Sequence, residues 1–290
     1  MSRNLHKYYY KDYFGEKPEE IYVSDGRQGQ SKTRKSLDWK RIKSDENASI
    51  LKKRNTRLTE EDLLHKIDRP VETKDAFSLE VIYPGLVTGI GINHEATIEG
   101  EFKLGVHFDW TRGMPVVYGS SVKGVLKSAF KDGYVDTDLV NKANEMVNDT
   151  EKVPEWVGDK VNWKVIIRNI FEGKDIQGNS LSIYNRDVFF DAVITHPDSK
   201  GRILCPDSIT PHDDNPLKNP TPLTFMKIAP GCTLEFRFKL TDSDFGGGKT
   251  LSAAQKKTLF EEILKTVGIG AKTNVGYGQL KEVNEVCQKQ

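Results

Sequence analysis

Cysteine is scarce in this chain: Cys205, Cys232 and Cys287 are the three among 290 residues, and no two are spaced as CxxC. That spacing excludes a disulfide-stapled scaffold and a zinc ribbon, and few, scattered thiols are expected of a reducing, cytoplasmic compartment. There is no apolar N-terminal run to read as a signal peptide and no apolar stretch long enough to span a bilayer, so no membrane partner is expected. The six histidines, at 6, 65, 94, 107, 196 and 212, never fall at i, i+4 and no HExxH occurs, so neither a bound metal nor another cofactor is expected. A GxSxG elbow is missing as well. The run FGGGKTLSAAQ, from Phe245, places Gly248-Lys249-Thr250 between a strand and a helix. A phosphate-binding loop needs a glycine where Ser243 stands, so these glycines read as a flexible turn.

Charge is present in both signs and nearly cancels, with 43 basic and 42 acidic residues. It is not evenly spread. Between Arg27 and Arg57 lie eleven basic residues against three acidic ones. Such a block reads either as a contact for a polyanion or as a solvated loop.

The aromatic, basic opening NLHKYYYKDYF (Asn4–Phe14) reads as a β-edge packed on the body or as a surface for stacking bases. Residues 15–58 lack periodicity and read as a loop or insertion. Thr59-Glu60-Glu61-Asp62 resembles a capping box opening a short helix to Ile67. From Phe77 the chain turns β-rich, and SLEVIYPG alternates as a strand should. In GMPVVYGSSVKGVLKSAFK, Ser120 or Ser121 is placed to cap a helix. Val122, Val125, Leu126, Ala129 and Phe130 form its apolar face, with Lys123, Lys127 and Lys131 opposite. Further helices are expected at 138–146, 162–171 and 252–267. DVFFDAVI and GRILC read as neighbouring strands. PLTFMKIAPG and CTLEFRFKL read as a hairpin through Pro230-Gly231, with Leu234, Phe236, Phe238 and Leu240 on one face. The proline-rich stretch 196–219 reads as a protruding loop. Helices and strands mix without strict alternation, which predicts an α+β fold with an antiparallel sheet. The expected organisation is an N-terminal segment with an insertion over 1–75 and a core over 76–290.

Two segments carry the chemistry. YGSSVKG supplies a helix N-terminus, two hydroxyls and a lysine, a combination suited to phosphate. GIGAKTNVGYGQL (Gly268–Leu280) supplies four glycines that let a backbone approach a ligand, together with Lys272, Thr273, Asn274 and Tyr277. The two describe a site for a polyanion backbone, most naturally single-stranded RNA. The candidate RNA-binding residues are Ser120, Ser121, Lys123, Lys127, Gly270, Lys272, Thr273 and Asn274. A nuclease alternative would draw a general base from His94 or Asp109. Asp191 and Asp207 are the other carboxylates near apolar or glycine-rich turns.

In order along the chain, these segments resemble the RAMP superfamily of CRISPR-associated RNA-binding proteins. GIGAKTNVGYGQL is similar to that superfamily's C-terminal glycine-rich signature, and PVVYGSSVKGVLKSAF to its helix start, with Tyr118 and the Val116-Val117 pair departing from the usual second proline. NLHKYYYKDYF, DVFFDAVI and the run from ILCPDSITPHDDN to TLEFRF resemble the sixth-subunit family of the Cmr (type III-B) effector complex. The resemblance implies a modified ferredoxin-like (RRM-like) core with insertions; the stretch 196–219, polar, proline-rich and set between strands, reads as a thumb on that core. It implies a non-catalytic subunit that holds the 3′ part of the crRNA and the guide–target duplex. The implied partners are crRNA, target RNA, the RAMP backbone subunits and the neighbouring terminal subunits.

Overall fold

The computed structural model describes residues 5–12, 45–60, 73–89, 102–210 and 223–283. Helix α1 (Leu5–Lys7) continues as a π-turn, Tyr8–Asp12, and is followed by α2 (Asp45–Glu60). Strands β1 (Asp75–Val81), β2 (Lys103–Leu104), β3 (His107–Phe108) and β4 (Pro115–Val117) lead into helices α3 (Gly119–Lys131), α4 (Thr137–Ala143) and α5 (Lys160–Ile166). Then come β5 (Val188–Phe189), β6 (Ala192–His196), β7 (Leu204–Ile209), β8 (Leu223–Ile228), β9 (Thr233–Lys239), β10 (Ser243–Asp244) and β11 (Thr250–Leu251). Helix α6 (Ala253–Val267) and strand β12 (Leu280–Glu282) complete the series. The chain forms two compact units and passes between them repeatedly: residues 1–67, 87–115 and 197–229 make one, and 68–86, 116–196 and 230–290 the other.

The larger unit is built on a sheet with the order β12-β1-β9-β6-β4, every pair antiparallel, with β5 beside the end of β9. Taken as β1-α3-β6-β9-α6-β12, its core is a βαββαβ unit whose strands lie in the order fourth, first, third, second. The fold is α+β, a modified ferredoxin-like core with insertions. Alternation in β9 explains which face carries the helices. Leu234, Phe236 and Phe238 are all 1% exposed or less. Phe77 of β1 stacks on Phe236 and Phe238, and Phe238 meets Phe260 of α6 at a ring separation of 5.6 Å. Each such ring contributes about 1.5–3 kcal/mol by leaving water. Helix α3 buries Val122, Leu126, Ala129 and Phe130, the spacing expected of its apolar face, and packs beside α6. Helix α6 opens with a full capping box, the Ser252 hydroxyl accepting from the Gln255 amide and the Gln255 side chain from the Ser252 amide.

The smaller unit has a three-stranded sheet in which β8 lies parallel to β2 and antiparallel to β7. Helix α2 rests on β7 through Leu51, Asn55, Leu58 and Thr59, a helical stripe of two apolar and two polar residues. The Tyr9 ring is fully buried, and its hydroxyl donates to the Phe102 carbonyl at 2.9 Å.

Several sequence expectations are corrected. Residues 5–12 are helical, not a β-edge, because Leu5 and Tyr9, four apart, both turn inward. Residues 45–60 form a helix within the stretch read as a loop; the four cations from Lys52 to Arg57 mask its buried stripe. Thr59 does not open a helix but lies in the last turn of α2, its hydroxyl donating to the Asn55 carbonyl; residues 61–67 lie outside the described residues. DVFFDAVI is interrupted at Phe190-Asp191, giving β5 and β6. GRILC does not pair with it; β7 pairs with β8. Pro230-Gly231 is not a hairpin, because β8 and β9 join different sheets, and the Gly231 amide bonds instead to the Val81 carbonyl. Of the stretch 196–219, residues 204–209 are strand β7 and 211–219 lie outside the described residues. The triple glycine is the expected turn. It joins β10 to β11, with the Lys249 ammonium on the Asn162 side-chain oxygen at 2.7 Å rather than facing an open cradle.

Candidate nucleic-acid interface

Strand β4 ends against β6, and the chain turns directly into α3. Tyr118 takes the N-cap position in an extended conformation without a side-chain cap, so neither Ser120 nor Ser121 caps the helix. Both lie in its first turn, Ser120 exposed and Ser121 half-exposed. The Gly119 amide donates to Asp191 Oδ1 at 2.7 Å, and the Ser121 and Val122 amides donate to the Tyr118 carbonyl at 2.8 and 3.1 Å. A protein carboxylate therefore sits at the positive end of the helix and takes up the Gly119 amide, part of the nest expected to receive phosphate. An incoming anion can use the Ser120 hydroxyl and the Lys123 ammonium. Lys123 lies 5.8 Å from the centre of the Phe189 ring. With Gly119, Ser120, Ile183, Arg186 and Phe189 it lines a pocket of about 340 Å³. Lys127, one turn along, is held by Glu172 at 2.9 Å, so its charge is largely spent within the protein.

The glycine-rich loop is organised differently from its sequence reading. Helix α6 ends at Gly268, which has φ +70° and returns its amide to the Leu264 carbonyl. The Ile269 amide bonds to the Gly278 carbonyl, and the Gly278 amide to the Gly85 carbonyl, tying the loop to the end of β1. A β-carbon on Gly268 would lie 2.7 Å from the Gly278 oxygen. These glycines serve close approach of protein to protein. Tyr277 is buried, so its ring packs into the body and offers no stacking surface. Gly270 and Asn274 are exposed, and Lys272 and Thr273 half-exposed. Lys272 is the non-glycine residue with positive φ among the described residues, at 61°. Its ammonium makes no hydrogen bond or ion pair with any of them.

The structure does not bring the two candidate segments side by side. The start of α3 abuts Phe189, opposite Phe238 near the end of β9. The glycine loop adjoins Gly85 and Val81, near Thr233 at the start of β9. Five residue steps separate Thr233 from Phe238, roughly 17 Å of strand. A polymer can touch both places; a mononucleotide cannot.

Asp109, the described candidate for a general base, is a turn residue. Its Oδ1 accepts from the Thr111 amide and hydroxyl at 2.8 and 2.7 Å and from the Arg112 amide at 3.3 Å. Burial pushes its pKa up, but these hydrogen bonds and the Arg112 charge outweigh burial and hold the carboxyl below its ordinary value. Asp207 is paired with Lys227. His94 lies outside the described residues. Among the described residues, no three His, Cys, Asp or Glu side chains converge as metal ligands, and no helix is long and apolar enough to cross a membrane. Arg186 was missed by sequence reasoning: it stands in an unremarkable NRD run, and only the return of β5 onto β9 sets it beside Lys123.

Comparison with solved structures finds low similarity. A chain of the type III-B Cmr-beta complex bound to cognate target RNA, solved by cryo-EM, is 19% identical with a TM-score of 0.45, over 72% of this chain and 58% of that one. Cmr6 from Pyrococcus furiosus is 18% identical with a TM-score of 0.31, over 72% and 97%. A chain of the type III-A Csm–crRNA–target RNA ternary complex is 15% identical with a TM-score of 0.27, over 62% and 54%. This chain thus spans little more than half the length of the first and third. No curated protein matches it in sequence. The RAMP superfamily profile matches residues 78–281, from the first core strand through the glycine-rich loop to the last; the chain belongs to the RAMP superfamily.

Proposed function

We propose that this chain is a non-catalytic, RNA-binding structural subunit of a type III-B CRISPR (Cmr) effector complex, corresponding to its sixth subunit. In this reading it holds the 3′ part of the crRNA and the guide–target duplex in antiviral defence, in contact with the RAMP backbone and neighbouring terminal subunits. A guide complex must accept any sequence, so its contacts are to phosphates and 2′-hydroxyls. The observation that carries the reading is Lys272. A lysine in left-handed backbone costs about 1 kcal/mol that glycine would spare, yet the side chain has no partner among the described residues. Such a position is explained by a ligand for the ammonium. Ser120 and Lys123 give a second contact at the other end of β9. Thr273, Asn274 and the exposed backbone at Gly270 flank Lys272.

The competing reading is a RAMP endoribonuclease that cuts crRNA precursor or target RNA. The state of Asp109 argues against that residue as its base, since a general base works best with a pKa near the operating pH. Labelled guide and target RNA incubated with the purified chain, alone and with the other subunits, with and without magnesium, tests the choice. RNA bound and intact is the expected result. Cleavage that disappears in His94→Ala or Asp109→Ala would replace this reading with the nuclease.

A further inference from the structure

We propose that the pocket at the start of α3 seats one nucleotide of the RNA, with its phosphate between Lys123 and Arg186 and its nucleoside against Ile183 and Phe189. The inference rests on the RNA-binding function proposed above and deepens it, by naming the second cation of that contact and what the pocket admits.

Size and shape come first. The pocket holds about 340 Å³, at the lower end of the ~300–1,000 Å³ usual for small-molecule sites and far more than a bare phosphate fills. One wall is fixed by the core: Phe189 stacks on Phe171 at a ring separation of 5.7 Å and meets Phe260 at 5.9 Å. Ile183 also lines the pocket, on the 3₁₀ turn Ile183–Asn185, and is 69% exposed. That turn is braced. The Ser182 carbonyl accepts from the Asn185 amide at 3.0 Å, and the Asn185 carbonyl accepts from the Thr241 hydroxyl at 3.4 Å. An isolated exposed isoleucine needs no explanation; one held in a pocket beside two cations gives apolar surface to a sugar or base.

The charges select the ligand. Arg186 is anchored at one end and free at the other. Its Nε donates to the Leu181 carbonyl at 2.7 Å. Its stem packs so closely on Gly173 that a β-carbon there would stand 2.8 Å from Arg186 Cδ. Its two terminal nitrogens make no hydrogen bond or ion pair with the described residues. The Lys123 ammonium makes none either, and lies over the Phe189 ring at 5.8 Å. The acids nearby are already engaged. Asp187 lines the pocket, but its side chain is only 2% exposed. Its Oδ2 is on Lys256 at 2.6 Å, and its Oδ1 accepts from the Thr241 amide and hydroxyl at 2.8 and 3.1 Å. Asp191 accepts from the Gly119 amide, and Glu172 holds Lys127. Lys123 and Arg186 are therefore not balanced within the pocket. A ligand that joins an anion to an apolar part satisfies both halves of the lining, and a nucleotide is such a ligand. Arginine's planar fork takes two phosphate oxygens at once, Lys123 adds a point charge, and the exposed Ser120 hydroxyl adds a third donor. Holding Arg186 in place beforehand lowers the ordering cost of binding.

The test uses the full chain, with a fluorescein-labelled oligouridylate titrated across a salt series and UMP titrated by calorimetry. Arg186→Gln is expected to bind the oligonucleotide about fivefold more weakly, with a slope of log affinity against log salt shallower by about 0.7. Arg186→Lys keeps the charge but not the fork, so it should keep the slope and recover only part of the affinity. Ile183→Ser should bind about threefold more weakly with the slope unchanged, because it removes apolar contact and no charge. Ile183 is exposed, so this variant should melt with the parent, and it carries the test even where Arg186→Gln is unstable. Affinity of Arg186→Gln within twofold of the parent, at an unchanged slope, overturns the proposal. A loss in Arg186→Gln with no change in Ile183→Ser overturns the nucleotide assignment and leaves a bare phosphate contact. An Arg186→Gln chain that binds RNA normally but fails to join its partner subunits also overturns it, since the cations would then meet an acidic protein. UMP binding that is lost in Arg186→Gln while RNA affinity is unchanged assigns the pocket to a free nucleotide and overturns the RNA seat. Should Lys123→Ala and Lys272→Gly weaken binding while Arg186→Gln and Ile183→Ser do not, the proposed function stands and the nucleotide seat alone falls. If the parent chain binds no oligonucleotide, alone or assembled, both fall.

Discussion

Gly278 lies so close to Ile269 that a β-carbon on it would stand 1.8 Å from the Ile269 carbonyl oxygen. Its φ is +71° and its amide is bound to Gly85, so the backbone cannot withdraw without breaking the loop. Gly278→Ala therefore loses stability by on the order of 3 kcal/mol, combining a left-handed residue with a backbone clash. Gly247→Ala is the control. Its φ is also positive, but nothing lies within 4 Å of the added carbon, so its cost stays near 1 kcal/mol. Urea unfolding midpoints of the two variants check the difference.

Gly124 gives the opposite expectation. It sits in the interior of α3, and an added methyl meets nothing within 4 Å. Gly124→Ala should raise stability by about 0.5–1 kcal/mol through lower unfolded-state entropy. If RNA lies against the start of α3, the same variant should bind it less well. Thermal unfolding and RNA titration of one protein therefore separate the two effects.

Local signals predicted the core elements well. The alternation of β9, the apolar spacing of α3 and the helix expected at 252–267 each depend on residues a few positions apart, and each is found in the structure. Pairing was not legible in the same way. β6 and β7 are consecutive in sequence but belong to different units, as are β8 and β9, so adjacency pointed to the wrong partners. Helix α2 was hidden because half of its buried stripe is Asn55 and Thr59. At the candidate site the residue types were legible and their environment was not. The carboxylate bound at the start of α3 comes from Asp191, 72 positions from Gly119. The separation of Lys123 from Lys272 along β9 follows from sheet order alone.

A buried ion pair underlies the pocket. Lys256 is fully buried, and its ammonium meets Asp187 Oδ2 at 2.6 Å, the Thr241 carbonyl at 2.7 Å and the Ser243 hydroxyl at 2.8 Å. Asp187→Asn leaves that ammonium without its counter-charge and should cost about 3–5 kcal/mol. Adding Lys256→Met to Asp187→Asn should restore part of the loss, because the unpaired charge is then gone. Chemical denaturation of the single and double variants gives the answer.

Glu262 makes the fold sensitive to acid. Its carboxylate takes the Lys142 ammonium at 2.6 Å and the Lys265 ammonium at 2.8 Å while its own side chain is only 3% exposed. Burial would raise its pKa, but these two hydrogen-bonded cations outweigh burial and hold it below the ordinary 4.5. The folded form thus binds its proton less readily than the unfolded one. The stabilisation is complete above pH 4.5 and is lost as pH falls below that value. Glu262→Gln should be less stable than the parent at neutral pH and should show a flatter fall in unfolding midpoint below pH 4.5.

Lysine partners set an order of effects on RNA affinity. Lys127 is bound to Glu172, whereas Lys123 faces the pocket and the Phe189 ring. Lys127→Ala should therefore weaken RNA binding less than Lys123→Ala does, and Glu172→Gln should strengthen it slightly by releasing Lys127. Competition titrations against a common labelled RNA rank the three.

The most direct test of the account is the salt dependence of RNA binding by Lys272→Gly. Glycine fits the left-handed backbone better than lysine, so this variant should fold at least as stably as the parent while lacking one phosphate contact. The account predicts weaker binding and a slope of log affinity against log salt that is shallower by about 0.7 for each lost contact to a single strand. An unchanged affinity and an unchanged slope, in a variant that folds normally and assembles with its partners, would contradict it.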